Sequence, residues 1–383
     1  MKSTLARLRR LDRQGPLVTW AALGIVYTVW GSTYLGIRLA IDTIPPLLMA
    51  GVRFLLAGAV LYALTARVPD PERRGGRRWL VPTRRHWLAA LIAGGLLFVG
   101  GNGGVVLGES ALPSGTVALM IATVPLWMTL IAALCLREPL SRWTLLGVAV
   151  GLAGVALLVQ PAGGARFQAL PTAAVLLSPV FWASGSLYSR RAPLPALAGP
   201  ATAMQMLAGG AILVLAGAAT GELPRLHPAH LSTSSLLAML YLVVFGSLLA
   251  FSAYALVLRR LPTTVVATYA YVNPVVAVGL GWAFLAEPVT PRLVLSGGII
   301  LAAVAIIVSA GARAAAAQRS AAGFVGGGQG ADVGDGPRTH PRHGEQVAVA
   351  HGIDGGQVAQ PAAAEGVADA VADQPRLAEA LQG

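Results

Sequence analysis

Residues 112–140 recur at 261–289, at one constant offset of 149, with a Leu-Pro start, a proline in mid-segment and a Glu-Pro end. Leu112-Pro113, Pro125 and Glu138-Pro139 in the first copy become Leu261-Pro262, Pro274 and Glu287-Pro288 in the second. Both copies are apolar and, at ~1.5 Å rise per residue, long enough to cross a bilayer core of ~30 Å. The repeat continues upstream at an offset of 152, where Trp30, Ser32, Leu35, Arg38 and Arg53 meet Trp182, Ser184, Leu187, Arg190 and Gln205. The three-residue difference falls near 67–86 and 220–235, in loops, which tolerate changes of length. Such a chain is expected to be a doubled membrane protein.

Composition points the same way, with 55% hydrophobic and only 11% charged residues. A net charge of +12 would suit nucleic acid, but the charges lie between apolar stretches and form no basic face, so no nucleic-acid partner is expected. Cys135 is the only cysteine, which excludes an intrachain disulfide and a Cys-rich metal site. All six histidines lie outside the apolar segments, so neither a metal centre nor a cofactor is expected.

Apolar windows of about 20 residues fall near 17–39, 46–66, 87–107, 113–135, 142–160, 171–189, 197–219, 234–257, 262–286 and 291–310. The expected fold is therefore an all-α integral membrane protein of ten transmembrane helices, five per repeat. A basic segment at 1–16 precedes the first repeat at 17–160; the second occupies 171–310. Residues 311–383 are rich in Ala, Gly and Gln, with five arginines against eight acids and no period, and are expected to form a disordered tail.

Lysine and arginine bias sets the orientation. Five basic residues crowd the segment before the first span, seven fill 67–86, and pairs occupy Arg137/Arg142, Arg190/Arg191 and Arg259/Arg260; the opposite loops hold only Arg166, Arg225 and Arg292. Both termini are then cytoplasmic, and the first span lacks the pattern of a cleavable signal. An odd number of spans per repeat forces the second copy to enter the membrane from the other side. Inverted repeats sharing a midplane site are a transporter signature, because one half rocking on the other exposes that site to each face in turn.

Pro125 and Pro274 each remove a helix hydrogen bond and free the carbonyls of Ile121 and Ala270. In hydrocarbon those carbonyls need a partner or a wet cavity, so the paired breaks mark either a packed kink or a binding site. Polar groups gather at the same depth: Thr123 in one copy, Tyr269 and Asn273 in the other. Tyr27, Trp30 and Tyr34 share one face of the first span, and Ser178, Trp182 and Ser186 share one face of the sixth. These faces suit either core packing or a pocket for apolar, aromatic or cationic metabolites.

Gly100, Gly104 and Gly108 recur at four-residue spacing and predict close approach of another helix, as do Gly147 and Gly151. Asn102 beside the first seam either bridges helices or meets ligand. Arg53, inside the second span, is an intramembrane charge with three outlets: snorkelling, pairing with an acid such as Asp42, or meeting a substrate carboxylate. Arg38 reads as an interface anchor. Glu109, the nearest carboxylate to a proton site, stands beside a turn, which predicts loop exposure; Glu138 and Glu287 are expected helix caps.

WGSTYLGIR, PPLLMAGVRFLLAG, GNGGVVLGESALPSGTVALMIATVPLW and ATYAYVNPVVAVGLG, in that order, resemble the drug/metabolite transporter superfamily, EamA type, and within it the bacterial YedA/PecM group. The likeness runs from about residue 17 to 310. It implies a ten-helix carrier of the bacterial inner membrane that exports amino acids or other small metabolites through a central cavity. Carried onto this chain, it implicates Trp30, Tyr34, Asn102, Thr123, Trp127, Trp182, Ser186, Tyr254, Tyr271 and Asn273 in that cavity. The expected partners are a small-molecule substrate, the lipid bilayer and protons as coupling ion. No GxxxxGK[ST] loop is present for ATP. An importer, or an intramembrane enzyme, is the alternative; the latter needs an acid, base or nucleophile clustered at depth.

Overall fold

The computed structural model describes residues 2–65, 82–136, 140–160, 168–261, 263–266 and 268–327. Most of the arginine-rich loop, Glu138-Pro139 and the chain beyond 327 lie outside the described residues. The helical stretches are α1 (Lys2–Ala40), α2 (Pro46–Thr65), α3 (Arg84–Glu109), α4 (Ser114–Cys135), α5 (Arg142–Val159), α6 (Ala169–Ser189), α7 (Ala198–Ala219), α8 (Thr233–Tyr254, running on through Ala250–Arg260), α9 (Tyr269–Leu285) and α10 (Pro291–Gly327). Among the described residues, eight of these, all but α1 and α9, are long and apolar enough to cross a membrane. Helix α9, with 17 residues, is a shorter apolar helix. The apolar part of α1 is diluted by Tyr27, Thr28, Ser32, Thr33 and Tyr34.

Local chemistry sets several helix ends. Thr83 accepts from the His86 amide at 3.2 Å while its own amide donates to His86 Nδ1, a reciprocal cap that starts α3. Ser141 and Ser232 cap α5 and α8 by accepting from Thr144 N and Ser235 N, each at 3.1 Å. Pro113 separates α3 from α4 as expected, with extended ψ of 143°. The helix of α1 runs back to Lys2, so the basic segment is helical, and α10 runs on to Gly327 through an alanine-rich stretch of high helix propensity. The helix assignment runs past residue 311, where the tail is expected to begin.

Two helices carry π-helical turns, Gly95–Gly103 in α3 and Leu242–Leu249 in α8. They occupy corresponding places in the two repeats, and such widened turns re-aim side chains at functional sites. Helices α2 and α7 also correspond, and they pack on each other. Gly58 and Gly210, related by the offset of 152, both lie in that seam, where a Cβ on Gly210 would stand 2.9 Å from the Gly51 carbonyl. The expected α3 seam meets α6: a Cβ on Gly104 would fall 2.5 Å from the Ala174 carbonyl. Gly147 likewise packs on Ile307 and Ala303 of α10.

Candidate functional site

A cavity of about 100 Å³ lies within the bundle, walled by α1, α2, α3, α4, α6, α8 and α9. Trp30 is the hub of its aromatic wall, with ring centroids 5.3 Å from Phe251, 5.0 Å from Tyr254 and 5.3 Å from Tyr269. Trp182 and Phe251 add apolar surface, and Asn102, Asn273, Thr33 and Ser178 add polar groups.

These polar groups are held by the helices that present them. Asn102, in the π-helical turns, donates to the Leu97 carbonyl at 3.2 Å. The Asn273 side-chain nitrogen, in the amide orientation that satisfies it, donates to the carbonyls of Tyr269 and Tyr27, 3.2 Å each, and so ties α9 to α1. The Tyr27 hydroxyl bonds Thr268 beside it. Ser178 donates to the Gly101 carbonyl across the α3–α6 seam.

Arg53 is buried, at 4% exposure, and is the one basic residue on the cavity wall among the described residues. Its Nε donates to Ser247 Oγ at 2.9 Å, and its guanidinium sits 4.8 Å from the Phe54 ring centroid. Among the described residues no carboxylate pairs with it; the Asp42 partner considered from sequence is not used. Four donor N–H groups of the fork therefore remain for other acceptors.

Of the residues singled out from sequence, Trp30, Tyr34, Arg53, Asn102, Trp182, Asn273 and Pro274 line this cavity. Ile121 and Ala270, whose carbonyls the two prolines free, line it too. Tyr254 stands behind Trp30. Thr123 turns its hydroxyl to the Met120 carbonyl at 2.6 Å, and Ser186 turns its own to Trp182 at 2.7 Å. Trp127 packs on Leu126, Val148 and Ile307; neither it, Tyr271 nor Pro125 is on the wall. Sequence reasoning passed over Thr33 and Phe251. The second was legible, because Phe251 is Asn102 moved by 149.

Repeat-related pairs recur around this cavity: Trp30 with Trp182, Asn102 with Phe251, Ile121 with Ala270, and Val124 with Asn273.

One end of the bundle is laced by carboxylates. Glu222 accepts from Leu47 N at 3.1 Å and Leu48 N at 2.9 Å, capping α2. Glu287 accepts from Ser114 N at 2.9 Å and Ser114 Oγ at 2.8 Å, capping α4. Ala286 directs it there by adopting φ 51°, a left-handed conformation that costs a non-glycine residue roughly 1–2 kcal/mol. Glu109 corrects the sequence reading: it is 0% exposed, not in an exposed loop, and neither carboxylate oxygen has a hydrogen-bond partner. Arg38 donates to the Glu109 backbone carbonyl instead.

The EamA-like transporter family model matches residues 18–160 and 171–309. The uncharacterized inner membrane transporter YedA of Escherichia coli (strain K12) is 38% identical over 295 residues, spanning 76% of this chain and 90% of that one. Protein PecM of Dickeya dadantii is 26% identical over 73% of this chain and 88% of its own, and a probable amino-acid metabolite efflux pump of Salmonella typhimurium 24% over 73% and 90%. A solved crystal structure shares the fold, with a TM-score of 0.51 at 21% identity over 75% of this chain and 95% of the other. With its all-helical fold, its membrane-length helices and a family match across both halves, the chain belongs to the EamA-like transporters of the drug/metabolite transporter superfamily and is a membrane transporter.

Proposed function

We propose that the protein is a secondary-active exporter of amino acids or similar small organic metabolites, working by alternating access in the bacterial inner membrane. Ten spans form two inverted five-helix repeats, both termini are cytoplasmic, and the proton gradient drives export. The observation that carries this reading is the set of repeat-related pairs around one cavity, with α2 and α7 packed on each other through Gly58 and Gly210. A site on the pseudo-symmetry axis of inverted repeats can be handed from one face to the other by exchanging the conformations of the halves.

The wall supports the cargo class. Arg53 offers unspent guanidinium donors to a carboxylate, while Trp30, Trp182 and Phe251 offer faces to an ammonium or an apolar side chain. Asn102 and Asn273 add directional polar contacts. The name of the Salmonella relative, a probable amino-acid metabolite efflux pump, agrees with this chemistry. Proteoliposomes loaded with a panel of aliphatic, aromatic and basic L-amino acids test it by counterflow of the labelled amino acid. Exchange of at least one amino acid, abolished by Trp30→Ala, Trp182→Ala and Asn273→Ala together, is expected. Exchange that the triple variant leaves intact removes the site, and a wild type that exchanges none removes the cargo class.

A further inference from the structure

The end of the bundle that carries Glu222 and Glu287 holds a third carboxylate with no structural employment. Glu109 is fully enclosed, and among the described residues neither of its oxygens accepts a hydrogen bond. An ionised carboxylate in that state costs several kcal/mol, and intramembrane acids of this kind are found on ion and proton paths. Its position lies one helical turn beyond the cavity wall. Asn102 and Val105 line the cavity, and Glu109 follows them at i+7 and i+4, on the same helical face and one turn nearer the end.

We propose that Glu109 is the proton-carrying group of this transporter, loaded from the end of the bundle at the 108–113 turn and coupled to the cavity through α1. This rests on the exporter reading above. The titratable and charged groups facing Glu109 are Tyr34 and Arg38 of α1 and Glu287 after α9. Among the described residues α2, α4 and α6 bring it no other. Tyr34 is on the cavity wall, and Arg38, one turn further along α1, bonds the Glu109 carbonyl, so α1 spans the two sites. Arg38 already reaches the Glu109 backbone carbonyl, so its guanidinium is at hand when the carboxylate loses its proton.

The step is proton binding alone: one O–H bond forms on a Glu109 oxygen with a proton from water on one face, and breaks on release to the other. Protonated Glu109 is neutral and tolerates the enclosed site seen here. Deprotonated Glu109 requires Arg38 or water, and so favours an arrangement in which that end is open. The second repeat has Leu258 at the corresponding position, so the carrier exists once per chain.

Infrared difference spectra of the full chain in phosphatidylethanolamine/phosphatidylglycerol vesicles, titrated from acid to alkaline pH, read this group directly. A protonated-carboxyl band that disappears on alkalinisation is expected in the wild type, is lost in Glu109→Gln, and is displaced in Glu109→Asp. An identical titrating band in Glu109→Gln overturns the assignment. Should that variant not fold, an undisplaced band in Glu109→Asp overturns it equally.

The transport arm uses an amino acid that the wild type exchanges. With a one-unit pH gradient the wild type concentrates it up to about tenfold, whereas Glu109→Gln still exchanges it but concentrates it not at all. A Glu109→Gln protein that concentrates it as the wild type does contradicts the proposal. A wild type that exchanges no amino acid removes the cargo class and leaves the infrared result to decide on Glu109.

Discussion

Glu222 and Glu109 are alike in burial and differ in hydrogen bonding. Both are carboxylates at membrane-helix ends, and both are buried, at 4% and 0% exposure. Glu222 receives two backbone amides of the first turn of α2, where the helix dipole also favours a negative charge. Glu109 lies at the last turn of α3, where the backbone offers carbonyls, not amides, and it accepts no hydrogen bond. Burial alone therefore does not separate structural from functional acids in this fold. What separates them is whether the carboxylate reaches the amides of a neighbouring helix N-terminus: Glu222 reaches those of α2, and Glu109 reaches none among the described residues.

Three substitutions can break that contrast. Glu222→Ala strips two buried amides of their acceptor and is expected to cost about 3 kcal/mol, read as a lower midpoint in thermal unfolding of the purified protein. A midpoint equal to wild type would show that the two bonds contribute nothing. Glu287→Ala removes the cap from α4 at a half-buried site where water can substitute, so a loss nearer ~1 kcal/mol is expected in the same assay. Glu109→Gln is the smallest, within about 1 kcal/mol of wild type in either direction, since no hydrogen bond to the carboxylate is lost. A large destabilisation by that change would make Glu109 a structural acid after all.

Much of the fold was legible because periodic repetition leaves a mark that one chain can show. The offset of 152 paired α2 with α7 and Trp30 with Trp182, and the short polar turn at Gly108-Glu109-Ser110 argued for the break before Pro113. Glu109 was not legible, because a charge beside a turn reads as loop in any one-dimensional window. Its burial depends on chain distant in sequence, such as Arg38 of α1, which bonds its backbone carbonyl. Thr123 and Ser186 were the right residue types at the right depth, but each hydroxyl is spent on a carbonyl of its own turn. The two helices outside the membrane-length set miss it for different reasons: polar residues dilute α1, whereas α9 is apolar but only 17 residues long. Those two helices carry the polar and aromatic groups of the cavity and look least like membrane spans.

The central claim is that one cavity is reached from both faces of the membrane in turn. Ala122 lines it and Cys135 is the only native cysteine, so Ala122→Cys in a Cys135→Ser background gives a single reporter. Right-side-out and inverted vesicles treated with a membrane-impermeant thiol reagent should both be labelled, and a transported amino acid should slow both reactions. Labelling confined to one vesicle orientation, or absent from both, would contradict the account.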